Sequence, residues 1–104
     1  MVYKVKMTQE SGEDLSEIVS YISETLQNKP AAASLVDEFY DNVNTLKSSP
    51  YSFPLSCDLK LSEEGYRKFI FKKNYIALFL IDEINAEVNI MRVFYAKRNY
   101  VDLI

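Results

Sequence analysis

The chain has 104 residues, 48% hydrophobic and 26% charged, with a formal net charge of −3. That is enough for one globular core over 1–104 without covalent staples. It carries no histidine, one cysteine and two glycines, which excludes Ser-His-Asp and Cys-His nucleophiles, histidine-ligated zinc, an internal disulfide, and P-loop or dinucleotide fingerprints.

Residues 2–8 alternate Val2, Lys4 and Lys6 with Tyr3, Val5 and Met7, the period of a half-buried first strand. Ser11-Gly12-Glu13-Asp14 reads as a helix N-cap with acid in the first turn. Leu15, Ile18, Val19, Ile22 and Leu26 then recur on one helical face, so a first helix is expected over about 12–27. Asn28-Lys29-Pro30 ends it, and proline at the start of a new helix is favoured. The second helix uses Ala32, Leu35, Phe39, Val43 and Leu46 and stops by Ser48-Ser49-Pro50. Residues 49–64, with Pro50, Pro54 and several serines, read as an irregular connection closed by Glu63-Glu64-Gly65. Three strands follow at about 66–73, 75–82 and 86–95, separated by Lys-Lys-Asn and Glu-Ile-Asn. The run from Tyr75 to Ile81 is almost entirely apolar and is expected inside the sheet with both faces covered.

The expected fold is therefore α+β, in the order β-α-α-β-β-β, with a helix hairpin on one face of a small, mainly antiparallel sheet. The other face, if open, would present Tyr, Arg and Lys. Charge is divided unevenly. Residues 1–56 hold four lysines against eight carboxylates, a net −4, and residues 57–104 hold eight cations against seven carboxylates, a net +1. A strand meander edged with Arg and Lys can offer a flat surface to a polyanion. Each candidate also has a plainer reading. Arg67 can pair with Glu64, Arg92 can turn inward to a structural ion pair, and Lys72 and Lys73 can form a solvated turn. Lys97 and Arg98 can face solvent, and Tyr95 can pack. No apolar run approaches the roughly 18–20 residues of a membrane span, and the N-terminus lacks an apolar signal core. With a single cysteine, the expectation is a soluble protein of a reducing cytoplasm, with no membrane contact.

Gly65-Tyr66-Arg67 opens the second strand, Asn74-Tyr75 leads the apolar third strand to Ile81-Asp82, and the fourth reads Val88-Asn89-Ile90-Met91-Arg92-Val93-Phe94-Tyr95 before a basic tail, Ala96-Lys97-Arg98-Asn99-Tyr100. In this order and spacing, over nearly the whole chain, the motifs resemble the RelE/ParE toxin superfamily of type II toxin–antitoxin systems, whose members include plasmid stabilisation proteins. The resemblance implies a growth-regulating toxin neutralised by a cognate antitoxin encoded by an adjacent gene, with no cofactor and no metal. One branch is the ribosome-dependent mRNA interferases. These endoribonucleases cut when an RNA 2′-OH attacks the neighbouring phosphate while cations stabilise the developing charge. For that branch the resemblance implies catalytic roles for Arg67, Arg98 and Tyr95, and substrate binding by Lys97, Arg92, Lys72 and Lys73. A second branch shares the fold, has no enzymatic activity and inhibits DNA gyrase. A third possibility is a degenerate member that only binds its antitoxin. Tyr95 stands where many relatives carry histidine. A phenol ionises only near pH ~10, so tyrosine can donate a proton but is a poor base at neutral pH.

Overall fold

The structure is a computed structural model that describes residues 2–96. β1 (Lys4–Met7) leads into α1 (Gln9–Ser20), which runs on through a π-helical turn, Tyr21–Thr25. α2 (Lys29–Leu46), a 3₁₀ turn (Pro50–Ser52) and α3 (Leu59–Glu63) follow, then β2 (Arg67–Phe71), β3 (Tyr75–Asp82) and β4 (Glu87–Tyr95). The four strands form one sheet in the order β1-β4-β3-β2. β1 lies parallel to β4, and the other neighbours are antiparallel. The expected α+β architecture is the one observed.

The helix hairpin covers one face because its apolar stripes match the inward positions of the sheet. Leu15, Ile22, Leu35, Phe39, Val43 and Leu46 pack against Phe69, Phe71, Ala77, Phe79, Val88, Ile90 and Val93. Phe39 stands at the centre, fully buried, with its ring 5.3 Å from Phe71 and 5.6 Å from Phe69. Burying a side chain of this size contributes about 1.5–3 kcal/mol. β3 is covered on both sides, as its unbroken apolar run implies: Ala77 and Phe79 face the hairpin, and Ile76 and Leu78 face the opposite cluster. Met91 is an extra residue in β4, since Leu78 pairs with Arg92 while Phe79 pairs with Ile90. This bulge keeps apolar side chains facing inward on both sides of it.

Three local expectations are corrected. The first helix is capped by Thr8, not Ser11, and begins at Gln9. Thr8 is tied to the sheet through its N–H to the Ile90 carbonyl, 3.0 Å, and its hydroxyl to the Met91 carbonyl, 2.8 Å, while its side-chain oxygen also accepts from the Ser11 N–H at 3.1 Å. Ser11 is fully buried one turn later. The α-helix also ends earlier than expected, at Ser20, where the backbone widens into the π turn. Residues 49–64 are not wholly irregular either. Asp58 caps α3 by accepting from the Leu61 N–H at 3.0 Å. α3 places Leu61 against Ile76, Leu78 and Phe94, so the face opposite the hairpin carries a small second core. Among the described residues no helix is long and apolar enough to cross a membrane.

Candidate functional site

The candidate residues do not converge: Arg67 and Tyr95 stand at opposite ends of their strands, and Arg92 lies in the middle of β4 opposite Leu78. Arg67 opens β2 opposite Phe79, while Tyr95 closes β4 opposite Tyr75. The offset from Tyr75 to Phe79 along β3 is about 13 Å at ~3.3 Å per residue, and two strand spacings add about 10 Å sideways. Arg98 lies outside the described residues, as does Lys97, and the last described residue, Ala96, is held at the Tyr95 end by its N–H to the Asn74 carbonyl at 2.6 Å.

At the Arg67 end the contacts are structural. The Arg67 guanidinium donates to the Phe53 carbonyl at 2.7 Å and lies 5.1 Å over the Tyr51 ring. Glu64 lines the same small cavity, about 250 Å³, but forms no ion pair with it. Next to this pair, Glu83 in the turn after β3 accepts from the Tyr51 hydroxyl at 2.6 Å and from the Tyr3 hydroxyl at 3.0 Å. Burial and then the Glu83 carboxylate push the Tyr3 phenol above its ordinary value. For Tyr51 the hydrogen bond to Glu83 is the larger cause and burial the smaller, with a slight lowering from Arg67. The cluster joins the N-terminus, the 3₁₀ turn, the start of β2 and the β3–β4 turn.

Arg92 takes the inward ion-pair option. Its Nε donates to Asp14 Oδ2 at 2.7 Å and its Nη2 to Oδ1 at 3.1 Å, and the same carboxylate accepts from the Val93 N–H at 3.0 Å. β1 ends at Met7, so beyond Ile90 the outer edge of β4 has no strand partner there. Asp14 of α1 fills that place, and Arg92, 4.7 Å over the Phe94 ring, neutralises it. The hydrogen bond to Asp14 raises the arginine further above its ordinary value, against the lowering effect of burial. Lys68, on the same sheet face, donates to the Cys57 sulfur at 2.9 Å.

The Tyr95 end has a different character. Tyr95 is half-exposed and meets Tyr75 edge-on at 5.6 Å. With Glu17, Ile18 and Tyr21 they line a depression of about 440 Å³. Burial first, then the neighbouring Tyr95 and Tyr21, pushes the Tyr75 phenol up. On the other side of Tyr75 lies a second depression of about 330 Å³, floored by Ile22, Ala31 and Leu35 and edged by Lys72, Lys73 and Glu38. Lys72 and Lys73 form the β2–β3 turn with φ of 50° and 64°, a left-handed conformation unusual for residues with a Cβ. The Glu38 carboxylate holds this turn by accepting from the Lys72 N–H. Among the described residues the only ion pairs are Lys6–Glu87 and Arg92–Asp14, both 2.7 Å, so neither turn lysine is neutralised by one.

Asp14, Glu38, Tyr21 and Tyr75 were not among the candidate site residues that the sequence offered. Asp14 had one usable signal, a mid-strand arginine among apolar residues that calls for an internal carboxylate, but nothing local said which one. No set of His, Cys, Asp or Glu among the described residues is grouped to hold a metal ion.

Comparison with known proteins bears on the whole arrangement. The family model described as the ParE toxin of type II toxin–antitoxin system, parDE, matches residues 5–100. No curated protein gives a significant match. Among solved structures, the chromosomal ParDE toxin–antitoxin system of P. aeruginosa aligns with a TM-score of 0.71 at 18% identity, covering 92% of this chain and 98% of that one. The RelBE2 toxin–antitoxin complex of Mycobacterium tuberculosis aligns with a TM-score of 0.61 at 19% identity, over 91% and 99% of the two chains. An archaeal RelE–RelB complex of Pyrococcus horikoshii gives 0.58 at 12%, over 94% and 99%. At these identities the structural likeness shows the fold, and the match over residues 5–100 shows the family.

Proposed function

The chain belongs to the ParE toxin family of type II toxin–antitoxin systems, and from that premise we propose that it is held by a cognate antitoxin and acts by binding DNA gyrase rather than by cutting RNA. The observation that carries this reading is Arg92 bound to Asp14 beside the Leu61–Ile76–Leu78–Phe94 cluster. Cleavage by 2′-OH attack needs cations converging on one phosphate, because the developing charge is stabilised only by groups already aimed at it. Among the described residues Arg92 is neutralised, Lys68 is on Cys57, and Arg67 is anchored at the far end from Tyr95. Of the candidate cations, Lys72 and Lys73 carry no ion pair among the described residues, and Lys97 and Arg98 follow Ala96 in the sequence. A pair of lysines in a turn suits contact with a protein or nucleoprotein surface. The protein works in the cytoplasm in this reading, where both antitoxin and gyrase are found.

The ribosome-dependent endonuclease is the second reading. It is favoured by Ala96, whose N–H is held on the Asn74 carbonyl beside the lysine turn, with Lys97 and Arg98 next in the sequence. Controlled expression with RNA profiling, together with a gyrase supercoiling assay on the purified protein, separates the two. Intact mRNA with inhibited supercoiling is the expected result. Rapid cleavage of mRNA at codon boundaries overturns the proposal in favour of the nuclease, and absence of both effects leaves a member that only binds its antitoxin.

A further inference from the structure

Two nucleophilic side chains away from both ends of the site are in contact. Lys68 Nζ lies 2.9 Å from Cys57 Sγ. They come from different elements, Cys57 from the connection before α3 and Lys68 from β2, and backbone bonds hold those elements side by side. The Ser56 N–H donates to the Tyr66 carbonyl at 2.8 Å, the Lys68 N–H donates to the Pro54 carbonyl at 3.1 Å, and Leu55 pairs with Arg67 in antiparallel register. Ser56 is buried, and its hydroxyl accepts from the Asp58 N–H at 3.2 Å, so the residues on either side of Cys57 are fixed. Cys57 itself is exposed. Lys68 forms no ion pair among the described residues. It also lines a mainly apolar depression of about 200 Å³ along the outer edge of β2, walled by Asn42, Phe53, Pro54, Phe69 and Ile70. Thiol, amine and an apolar seat therefore share one accessible place.

We propose that this pair is an acylation site, at which Cys57 takes a short aliphatic acyl group from a thioester and passes it to Lys68. Sulfur acts first because an ammonium has no lone pair to offer, whereas a thiol readily supplies the thiolate nucleophile. The sulfur attacks the thioester carbonyl. A new C–S bond forms, the old one breaks, and the donor leaves as a thiol carrying the proton that Cys57 gave up. The Lys68 amine, having lost a proton to solvent, then attacks the same carbonyl. The C–N bond forms, the bond to Cys57 breaks, and one amine proton returns to the sulfur. No electrons are gained or lost, and the thiol is restored. The second step is unimolecular because Nζ already stands beside Sγ, and neighbouring groups held in this way react at a high effective concentration. The acyl chain lies in the depression that Lys68 lines, which favours an aliphatic chain over acetyl because more apolar surface leaves water. The product has lost the charge of Lys68.

The test is incubation of the purified full chain with butyryl-coenzyme A, and in parallel with acetyl-coenzyme A, followed by peptide mass spectrometry. Lys68 is expected to gain a butyryl amide on the order of 10-fold faster than Lys29 and Lys47, the exposed lysines at the two ends of α2. Cys57→Ser is expected to lower the Lys68 rate to theirs. Lys68→Arg is expected to leave the butyryl group on Cys57 as a thioester that hydroxylamine removes. Both substitutions lie at the surface, and unchanged circular dichroism spectra establish that the variants are folded. A Lys68 rate in the wild type no higher than those of Lys29 and Lys47 overturns the site. An equal Lys68 rate in wild type and Cys57→Ser overturns the relay through sulfur, and an acyl group that stays on Cys57 in the wild type overturns the transfer to nitrogen. Equal rates with the acetyl and butyryl donors overturn the seating of the chain in the depression.

Discussion

Replacing Asp14 with alanine tests whether Arg92 belongs to the fold or to a target contact. The substitution removes the acceptor for Arg92 Nε at 2.7 Å, Arg92 Nη2 at 3.1 Å and the Val93 N–H at 3.0 Å. A hydrogen bond to a charged group contributes about 1.5–3 kcal/mol when well buried, and a solvent-exposed ion pair only about 0.2–1 kcal/mol. The two side chains are 27% and 16% exposed, between those limits. A loss of about 2 kcal/mol follows for Asp14→Ala, because it leaves a half-buried guanidinium and a strand-edge N–H without their acceptor. Arg92→Met leaves the Val93 bond in place and keeps a long side chain over Phe94, so about 1 kcal/mol is expected. At ~4–8 °C per kcal/mol for a chain of this size, the melting temperature falls by about 8–16 °C in Asp14→Ala and about 4–8 °C in Arg92→Met. Calorimetry reads both, and growth inhibition below each variant's melting range reads function. The reasoning is refuted if Asp14→Ala stays within about 0.5 kcal/mol of wild type, the range of neutral surface changes. It is equally refuted if Arg92→Met folds, melts as expected and has lost all toxicity, since Arg92 would then act on the target.

The two glycines should respond in opposite directions: Gly12, exposed inside α1 with open space at its Cβ position, gains about 0.5–1 kcal/mol as Gly12→Ala. Gly65, at φ +91°, loses about 1–2 kcal/mol as Gly65→Ala, and urea titration measures both. Lys73→Gly relieves a left-handed residue and is expected to raise stability by about 1 kcal/mol; an unchanged urea midpoint would show that the turn carries no such strain. Tyr3 and Tyr51 have folded values above the ordinary phenol value, so the folded state holds their protons more tightly. That contribution is fully present below pH ~10 and is lost as pH rises through the folded values. Glu83→Gln removes the carboxylate that both hydroxyls reach, and its stability should decline less steeply than that of wild type above pH ~10. Superimposable alkaline limbs would show that the Glu83 bonds do not hold this end of the sheet.

What the sequence determined by itself is the set of elements and their inward faces. The stripes Leu15–Ile18–Ile22 and Leu35–Phe39–Val43–Leu46, and the apolar run of β3, report burial through their period alone, because a face that must leave water has to be apolar wherever it lies. Order and short turns then leave few topologies for the three C-terminal strands. Pairing across long separations followed a different logic. Thr8 and Ser11 are both fit to cap a helix, and only the parallel pairing of β1 with β4, which brings the Thr8 N–H to Ile90, decides between them. α3 has too short an apolar signal to be read locally. It is needed because Ile76, Leu78 and Phe94 require cover on the second face. The carboxylate partner of Arg92 lies 78 residues away, that of Tyr3 80 away, and the acceptor for the Lys72 N–H 34 away. Sequence shows that such groups need partners, since a buried charge or a strand-edge N–H cannot be left unsatisfied. Which partner answers depends on the positions of whole elements, and those positions are set by the summed packing of the core. The same packing decided that Arg67 and Tyr95 stand at opposite ends and that Lys72, Lys73 and three tyrosines share one.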